Sequence, residues 1–253
     1  MSIQRVDLAR YLDNFLSVNQ IKDYCPNGLQ VEGKAQIERV VTGVTASEAL
    51  IDAAIEREAD AILVHHGYFW KGEASPITGL KRNRLKKLLE KDINLFAYHL
   101  PVDVHPEFGN NAQLAKLLGI ENVEPVDSVS PLGVLMRGTL SEAMSADDLA
   151  EMLEVKLERM PLTNAVRQSS IETIAWCTGG GQGYIDIAAA LGIHAFLTGE
   201  VSEQTIHSSR EYGIDFFAAG HHATERYGIQ SLGNHLANEF QLNVEFVDIP
   251  NPA

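Results

Sequence analysis

An internal repeat of short apolar runs constrains the fold of this chain more than any other feature. Three segments of the first half recur in the second half, in the same order and with similar residues. Chance could produce one such match, but three in order indicate two copies of one structural unit. The matching segments are 51–52 with 61–64 against 185–186 with 195–198 at an offset of 134, and 93–97 against 214–218 and 123–127 against 244–248 at an offset of 121.

The repeated runs predict an α/β fold. They are short and largely apolar, which is typical of strands buried on both faces. Helical patterns lie between them, including one that Ser47 is expected to cap. We therefore expect two similar, interleaved α/β halves, residues 1–127 and 128–253, with mixed sheets flanked by helices. No Pro- or Ser-rich linker separates the halves, so they are expected to pack tightly or interleave.

The composition excludes several classes of function. A net charge of −14 disfavours direct, sequence-independent binding to nucleic acid, which needs a basic face. No run approaches the roughly 18 apolar residues of a membrane span, and the N-terminus lacks a signal-peptide core. We therefore expect a cytoplasmic protein without a membrane partner. Cys25 and Cys177 form no metal-binding cysteine pair and are expected to be buried thiols.

One basic cluster departs from this acidic background. We favour its interpretation as the solvated side of a helix whose apolar side carries Leu85, Leu88 and Leu89. A phosphate-facing patch is the alternative interpretation. The cluster comprises Lys81, Arg82, Arg84, Lys86, Lys87 and Lys91.

Two adjacent histidines end one of the repeated runs. Segment 61–64 predicts a buried strand, and His65-His66-Gly67 follows it directly. Because successive strand side chains point to opposite faces, the two imidazoles can converge only if the strand has stopped, which Gly67 permits. This position, just past the carboxyl end of a strand, is where open α/β sheets bind ligands. Taken alone, the pair fits a structural role better than a functional one.

Three further residues change that interpretation. His221 and Glu225 are four apart at the start of a helix predicted from Thr224 through Leu236, so they share one helix face. With Asp103 and the histidine pair they supply three imidazoles and two carboxylates. This set is too large for one catalytic zinc ion and suits two divalent ions, such as Zn, Mn, Fe or Ni, that share a carboxylate. A helix cap is the alternative role for Asp103.

These residues lie in motifs that resemble the NIF-three-like family, whose bacterial members are labelled GTP cyclohydrolase type 2 homologues. The resemblance covers essentially the whole chain. It departs from the family pattern at Tyr24-Cys25-Pro26-Asn27, where the family usually has Trp-Asp-Asn. The motifs that carry the resemblance are 26–31, 64–67, 99–103, 198–200 and 220–225.

The resemblance implies two similar α/β halves with a dinuclear divalent-metal site between them. It also implies a ring-shaped homohexamer, a toroid whose sites face an internal cavity. Carried over position by position, the family's metal ligands fall on His65, His66, Asp103, His221 and Glu225, and all five residue types match.

Two features bear on the substrate. The Gly-rich segment 177–183 follows a predicted strand and precedes a predicted helix, so its backbone amides could hold an anion. A tight strand-to-helix turn is the equal alternative, since the segment fits neither the Walker loop nor the dinucleotide fingerprint. Tyr68, Phe69 and Trp70 follow the histidine pair and could stack on a base, although such clusters more often belong to a core or a subunit interface.

The leading hypothesis is a metal-dependent hydrolase, GTP cyclohydrolase-like, that acts on a small molecule such as a nucleotide or another phosphorylated heterocycle. Two divalent ions would lower the pKa of a bound water and polarise the electrophile. His99, His222 and Glu200 are candidates for a proton shuttle or for orienting the ligands. The alternatives are a non-catalytic metal-binding oligomeric scaffold, metal chaperone or regulatory protein, and an oligomer whose histidines only satisfy core hydrogen bonds.

Overall fold

Residues 1–253 are all described by this computed structural model, and they form thirteen strands and nine α-helices. The strands are β1 Ile3–Gln4, β2 Gly28–Val31, β3 Gln36–Ile37, β4 Arg39–Thr45, β5 Ala61–His66, β6 Asn94–Ala97, β7 Ile120–Pro125, β8 Met136–Met144, β9 Leu162–Asn164, β10 Ile171–Cys177, β11 Ala195–Thr198, β12 Asp215–Ala218 and β13 Asn243–Phe246. The helices are α1 Arg5–Phe15, α2 Glu48–Glu56, α3 Gly79–Glu90, α4 Leu100–Val104, α5 Asn110–Leu118, α6 Ala146–Leu157, α7 Ile185–Ala190, α8 Glu203–Tyr212 and α9 His221–Phe240. None of these helices has the length and apolar character needed to span a bilayer.

The chain divides into two compact units, each built from two segments. The first unit comprises Met1–Val102 and Gly228–Ile249, and the second comprises Asp103–Tyr227 and Pro250–Ala253. The chain therefore passes from the first unit to the second within α4 and returns within α9.

The first unit is a five-stranded sheet with helices on both faces. Its order is β13-β4-β5-β6-β2, parallel except for β2, and β1 pairs with β3 in a separate two-stranded sheet. Alternate residues of β5 enter opposite cores because strand side chains alternate. Ala61 and Leu63 pack with α1 and the later turns of α9, whereas Ile62 and Val64 pack with α2 and α3. Ser47 caps α2 as the sequence predicts, since its hydroxyl accepts from Leu50 N at 3.2 Å.

The second unit is a six-stranded sheet of order β7-β8-β10-β11-β12-β9. Strands β10, β11 and β12 are parallel, and the flanking strands β8 and β9 pair antiparallel with β10 and β12. Its core joins Trp176 and Leu197 of the sheet to Leu149, Leu153 and Leu157 of α6. Ser145 begins α6 with a capping box, in which its hydroxyl accepts from Asp148 N and the Asp148 carboxylate accepts from Ser145 N.

The expected mixed α/β architecture, with mixed sheets flanked by helices, is confirmed. The order β4-β5-β6-β2 has the same strand directions as β10-β11-β12-β9, as two copies of one unit would have. The two sheets differ in the outer strands β13 and β7, which contain the repeated segments 244–248 and 123–127. Strand β13 lies directly beside β4, whereas β8 lies between β7 and β10. Internal duplication, and the division at residue 127 that follows from it, stay predictions.

Asp60 ties the start of β4 to the preceding chain of the first unit. Its Oδ2 accepts from Glu38 N at 2.9 Å and from Arg39 N at 3.0 Å, and its Oδ1 accepts from Lys34 Nζ at 2.6 Å. Burial raises the pKa of this carboxyl, but the hydrogen bonds from Lys34 and the two backbone amides outweigh burial and leave the pKa below its ordinary value. The ionised form is therefore favoured by folding.

We expect Asp60→Asn to lower the free energy of unfolding by about 1–2 kcal/mol at pH 7, because charge-assisted hydrogen bonds are lost. The carboxylate's contribution is fully present above the unfolded-state pKa of about 3.9 and disappears as pH falls through the lower folded-state pKa. Urea unfolding at pH 7 and pH 3 measures both effects, and the difference between wild type and variant should shrink at pH 3. Asp92→Asn, at an exposed site, is the control. An equal loss in the two variants would contradict the role of Asp60.

Candidate metal centre

Three histidines lie together in the first unit. Ligand atoms of His65, His66 and His99 all lie within 4.8 Å of one another, and the His65 and His66 ring centroids are 4.5 Å apart. His65 is fully buried, and its Nδ1 donates to Tyr98 O at 3.1 Å. That hydrogen bond places the proton on Nδ1, so the lone pair that could bind a metal ion is on Nε2.

The prediction that the strand stops before the histidine pair is wrong. Strand β5 includes both residues, and His66 is still paired with Thr45 of β4. The chain turns only at Gly67, where a Cβ would collide with the side chains of Gln30 and Ala97. Tyr68 N donates to Gln30 Oε1 at 2.7 Å and fixes this turn. The glycine is thus required by the close approach of its neighbours.

His99 is held by a buried carboxylate that sequence reasoning missed. His99 Nδ1 donates to Asp23 Oδ1 at 2.8 Å. Asp23 also accepts from Asn27 Nδ2 and Leu100 N, both at 2.9 Å, and from Tyr24 N at 2.6 Å. Burial raises the pKa of Asp23, but the hydrogen bonds from His99 and Asn27 outweigh it and leave the pKa lowered. An ionised Asp23 therefore fixes the proton of His99 on Nδ1.

Two buried carboxylates and one imidazole lie together in the second unit. Asp103 on α4 and Glu225 on α9 are only 6% and 3% exposed, and an oxygen of each lies within 4.8 Å of the other. Asp103 Oδ1 accepts from Asn110 Nδ2 at 2.8 Å and from Thr178 Oγ1 at 3.4 Å. Because two buried negative charges repel each other, this pair favours a bound cation. The carboxylates fit a divalent metal ion in both charge and donor type.

His221 is held between two carboxylates. Its Nε2 lies 3.1 Å from Glu225 Oε2, and its Nδ1 donates to Glu200 Oε1 at 2.7 Å. The hydrogen bond with Glu225 raises the pKa of His221 to about 9, with Glu200 adding to the effect and burial opposing it. Helix α9 begins at His221, three residues before the predicted start. His221 and Glu225 are therefore separated by one turn of a real helix and share its face.

Gly179 makes room for the Glu225 carboxylate. Its φ is +64°, in the left-handed region, and a Cβ there would collide with Glu225 Oε1 and lie 3.2 Å from His221 Nε2. Two observations thus require glycine at this position.

The Gly-rich segment is a tight turn of the second unit. Gly179 N donates to Thr224 Oγ1 and Gly181 N to Thr198 Oγ1, both at 3.0 Å, while Gly179 O accepts from Gly199 N at 2.8 Å. The Glu200 carboxylate lies beside Gly180 and accepts from Gln182 Nε2 at 3.2 Å. These amides are already used and a negative charge is adjacent, so the turn interpretation is favoured over an anion site.

The remaining predicted residues fall into three environments. His222 follows His221 on α9, is half-buried, and donates its backbone N–H to Ala253 O at 3.3 Å. The two cysteines lie in different environments. Cys177 is buried, whereas Cys25 is half-buried near Asp23 and His99. Burial and then the charge of Asp23 raise the pKa of Cys25 to about 12. Its thiol therefore stays protonated near pH 7.

Three of the six basic residues in the cluster on α3, Lys81, Lys86 and Lys87, form ion pairs with neighbouring acids. Lys87 Nζ lies 2.8 Å from Glu48 Oε1 and 2.6 Å from Asp52 Oδ1, and Lys81 Nζ lies 3.3 Å from Glu73 Oε1. Leu85 and Leu88 are buried on the other side of the helix, but Leu89 is 60% exposed. The interpretation as a solvated helix face fits this arrangement, with Leu89 as the exception.

The chain is similar to known proteins over its whole length. A family model described as Duf34/NIF3 (NGG1p interacting factor 3) matches residues 3–252. Proteins named "GTP cyclohydrolase 1 type 2 homolog" from Haemophilus influenzae and Pseudomonas aeruginosa are 58% and 55% identical, covering 99% and 100% of this chain and 100% of each relative. A solved structure described as protein ybgI, of unknown function, has a TM-score of 0.95 at 52% identity and covers 99% of this chain and 100% of that one. The chain therefore belongs to the Duf34/NIF3 family.

Proposed function

We propose that His65, His66, Asp103, His221 and Glu225 together hold two divalent metal ions, and that the protein is a metal-dependent hydrolase of a small molecule. The substrate class we propose is a nucleotide or another phosphorylated heterocycle, in line with the cyclohydrolase name of the relatives. The observation that carries the proposal is the buried pair of carboxylates, Asp103 and Glu225, whose mutual repulsion a cation would offset.

The path of the chain supports a joint site. Helix α4 follows His99 directly and carries Asp103 one turn later. Helix α9 begins with His221 and Glu225 and continues without interruption to Leu232 and Leu236, which pack in the core of the first unit. Helices α4 and α9 thus each belong partly to the first unit and partly to the second.

The chain's own residues would orient the ligands and move protons. Two divalent ions would supply a water of lowered pKa and an electrophilic centre. Tyr98 O and Glu200 accept from the Nδ1 atoms of His65 and His221 and so set the orientation of these rings. His99, whose Nδ1 proton is held by Asp23, has Nε2 as the nitrogen that can take up or release a proton at the substrate. His222 is a further candidate for this role.

We expect wild-type protein to hold two ions per chain and His65→Ala to lose at least one of them. His65 is fully buried, and its Nε2 is the nitrogen left for a metal. Elemental analysis after gentle purification measures the ions and identifies the metal, while a panel of nucleotide and heterocycle substrates measures turnover. His207→Ala is the matched control, because its imidazole is exposed on α8.

The outcomes separate the candidate functions. Equal metal content in wild type and His65→Ala, both folded, would overturn the metal site. Metal in the wild type with no turnover of any substrate would instead favour the non-catalytic scaffold or metal chaperone. The ring-shaped homohexamer is part of the proposal, and light scattering would support it by giving the mass of six chains.

A further inference from the structure

We infer that Trp70 and Tyr24 form a subsite that receives a planar heteroaromatic ring beside His99. This inference rests on the proposed function, since it specifies the class of molecule that the metal centre acts on. All of the residues that carry it belong to the first unit.

Trp70 is an indole held in a fixed position next to the histidines. Its ring centroid lies 4.9 Å from that of His99, at an interplanar angle of 81°, and 6.0 Å from that of His66. Its Nε1 donates to Gly67 O at 3.2 Å, and its backbone N donates to Glu73 Oε2 at 3.1 Å. The side chain is nevertheless only half-buried. A partly exposed aromatic ring that is already immobilised costs little entropy when a ligand stacks on it.

Tyr24 flanks His99 as a second aromatic ring. Its centroid lies 5.8 Å from that of His99, and the residue is 58% exposed. Its backbone is fixed at both polar groups, because Tyr24 N donates to Asp23 Oδ1 at 2.6 Å and Tyr24 O accepts from Lys71 N at 2.7 Å. The second hydrogen bond joins the Tyr24 segment to the residue that follows Trp70. The two rings are thus presented by two chain segments that a backbone hydrogen bond joins.

The other two aromatic residues of the cluster have different roles. Tyr68 is buried, and its hydroxyl donates to Ala46 O at 2.7 Å, so it belongs to the core. Phe69 is in contact with Lys81, whose Nζ lies 4.8 Å from the ring centroid. Only Trp70 of the three has its ring beside the histidines.

Binding of the substrate through its aromatic ring also fits the negative net charge of the protein. The net charge is −14, and the Gly-rich turn that could have held a phosphate uses two of its amides internally and carries Glu200 beside it. Binding through a neutral, planar part of the substrate avoids this unfavourable charge. Aromatic stacking is strong for any heteroaromatic base and tolerant of its substituents.

The two tryptophans of the chain make a direct test possible. Trp176 is fully buried in the second unit, so Trp70 is the indole that a ligand can reach. We expect GMP and AMP to quench tryptophan fluorescence saturably, whereas ribose 5-phosphate, which has the phosphate but no ring, should not. N-acetyltryptophanamide in the same titration corrects for absorbance by the nucleotide. Trp70→Phe should abolish the quench because it removes the reporter.

Binding itself is measured by equilibrium dialysis of GMP with two variants. Trp70→Phe keeps an aromatic face and should bind within about 5-fold of wild type, while Trp70→Ala should bind about 10-fold or more weakly, the range found for loss of one stacking partner. Equal binding by Trp70→Ala and wild type, or equal quenching by ribose 5-phosphate and GMP, would overturn the inference.

The titration is run on metal-stripped and on metal-loaded protein, so that the two proposals can fail separately. Ring-dependent quenching of a protein that takes up no metal would support the subsite and reject the proposed metal centre. Stoichiometric metal uptake without quenching by GMP or AMP in either form would reject the subsite and leave the metal centre in place.

Discussion

Gly179→Ala should lower the affinity for metal about 10- to 100-fold, the loss typical when the support of a metal ligand is disturbed. The added methyl group would collide with Glu225 Oε1 and lie 3.2 Å from His221 Nε2. Both are flexible side-chain ends, so they can move away at little cost to the fold. The displaced groups are two of the five proposed ligands, and the damage should therefore fall on metal binding. Isothermal titration with Zn²⁺ and with Mn²⁺ measures the affinity.

Gly119→Ala is a closely matched control for this prediction. Gly119 has a φ of +66°, against +64° for Gly179, and no heavy atom lies within 4 Å of the position of its Cβ. Both substitutions impose left-handed backbone on an L-residue, which costs about 1–2 kcal/mol of stability. Only Gly179→Ala also moves a ligand. A similar metal affinity in the two variants would show that the carboxylate of Glu225 is not needed where the structure places it.

Strands and helix caps can be predicted from the sequence because each depends on residues that are close together along the chain. Continuous apolar runs predict the strands β5 and β6, and the sequence also predicts Ser47 as a cap. The pattern did not predict helix α4, which has five residues and begins directly after His99. Such a short helix has too few turns to show a period of 3.6 residues.

The candidate site can be predicted only in part, because some of its residues meet through contacts between distant parts of the sequence. His65 and His66 end an apolar run, and His221 and Glu225 have helical spacing, so each pair has a local signal. Asp23 has none, because it reaches His99 across 76 positions of sequence through tertiary contacts. The role of Gly179 is equally hidden, since its close approach to Glu225 depends on how β10 and α9 pack.

Trp176→Ala should destabilise the protein by about 3–5 kcal/mol, the usual cost of truncating a large buried aromatic side chain. Trp176 is fully buried in the core of the second unit. Its Nε1 donates to Asn111 O at 3.0 Å, so its loss also removes a buried hydrogen bond. Urea unfolding followed by circular dichroism measures the change. Val155→Ala, at a position 70% exposed, is the control and should alter stability by less than about 0.5 kcal/mol.

Loss of the Trp176–Asn111 hydrogen bond should also affect metal binding, because Asn111 connects Trp176 in the core to Asp103 through Thr178. Asn111 Oδ1 accepts from Thr178 N at 3.1 Å, and Asn111 Nδ2 donates to Gly133 O at 2.8 Å. Thr178 in turn donates to Asp103. We therefore expect Trp176→Phe, which preserves most of the core volume, to weaken metal binding measurably while remaining folded. An unchanged metal affinity in that variant would show that the Trp176–Asn111 hydrogen bond does not position Asp103.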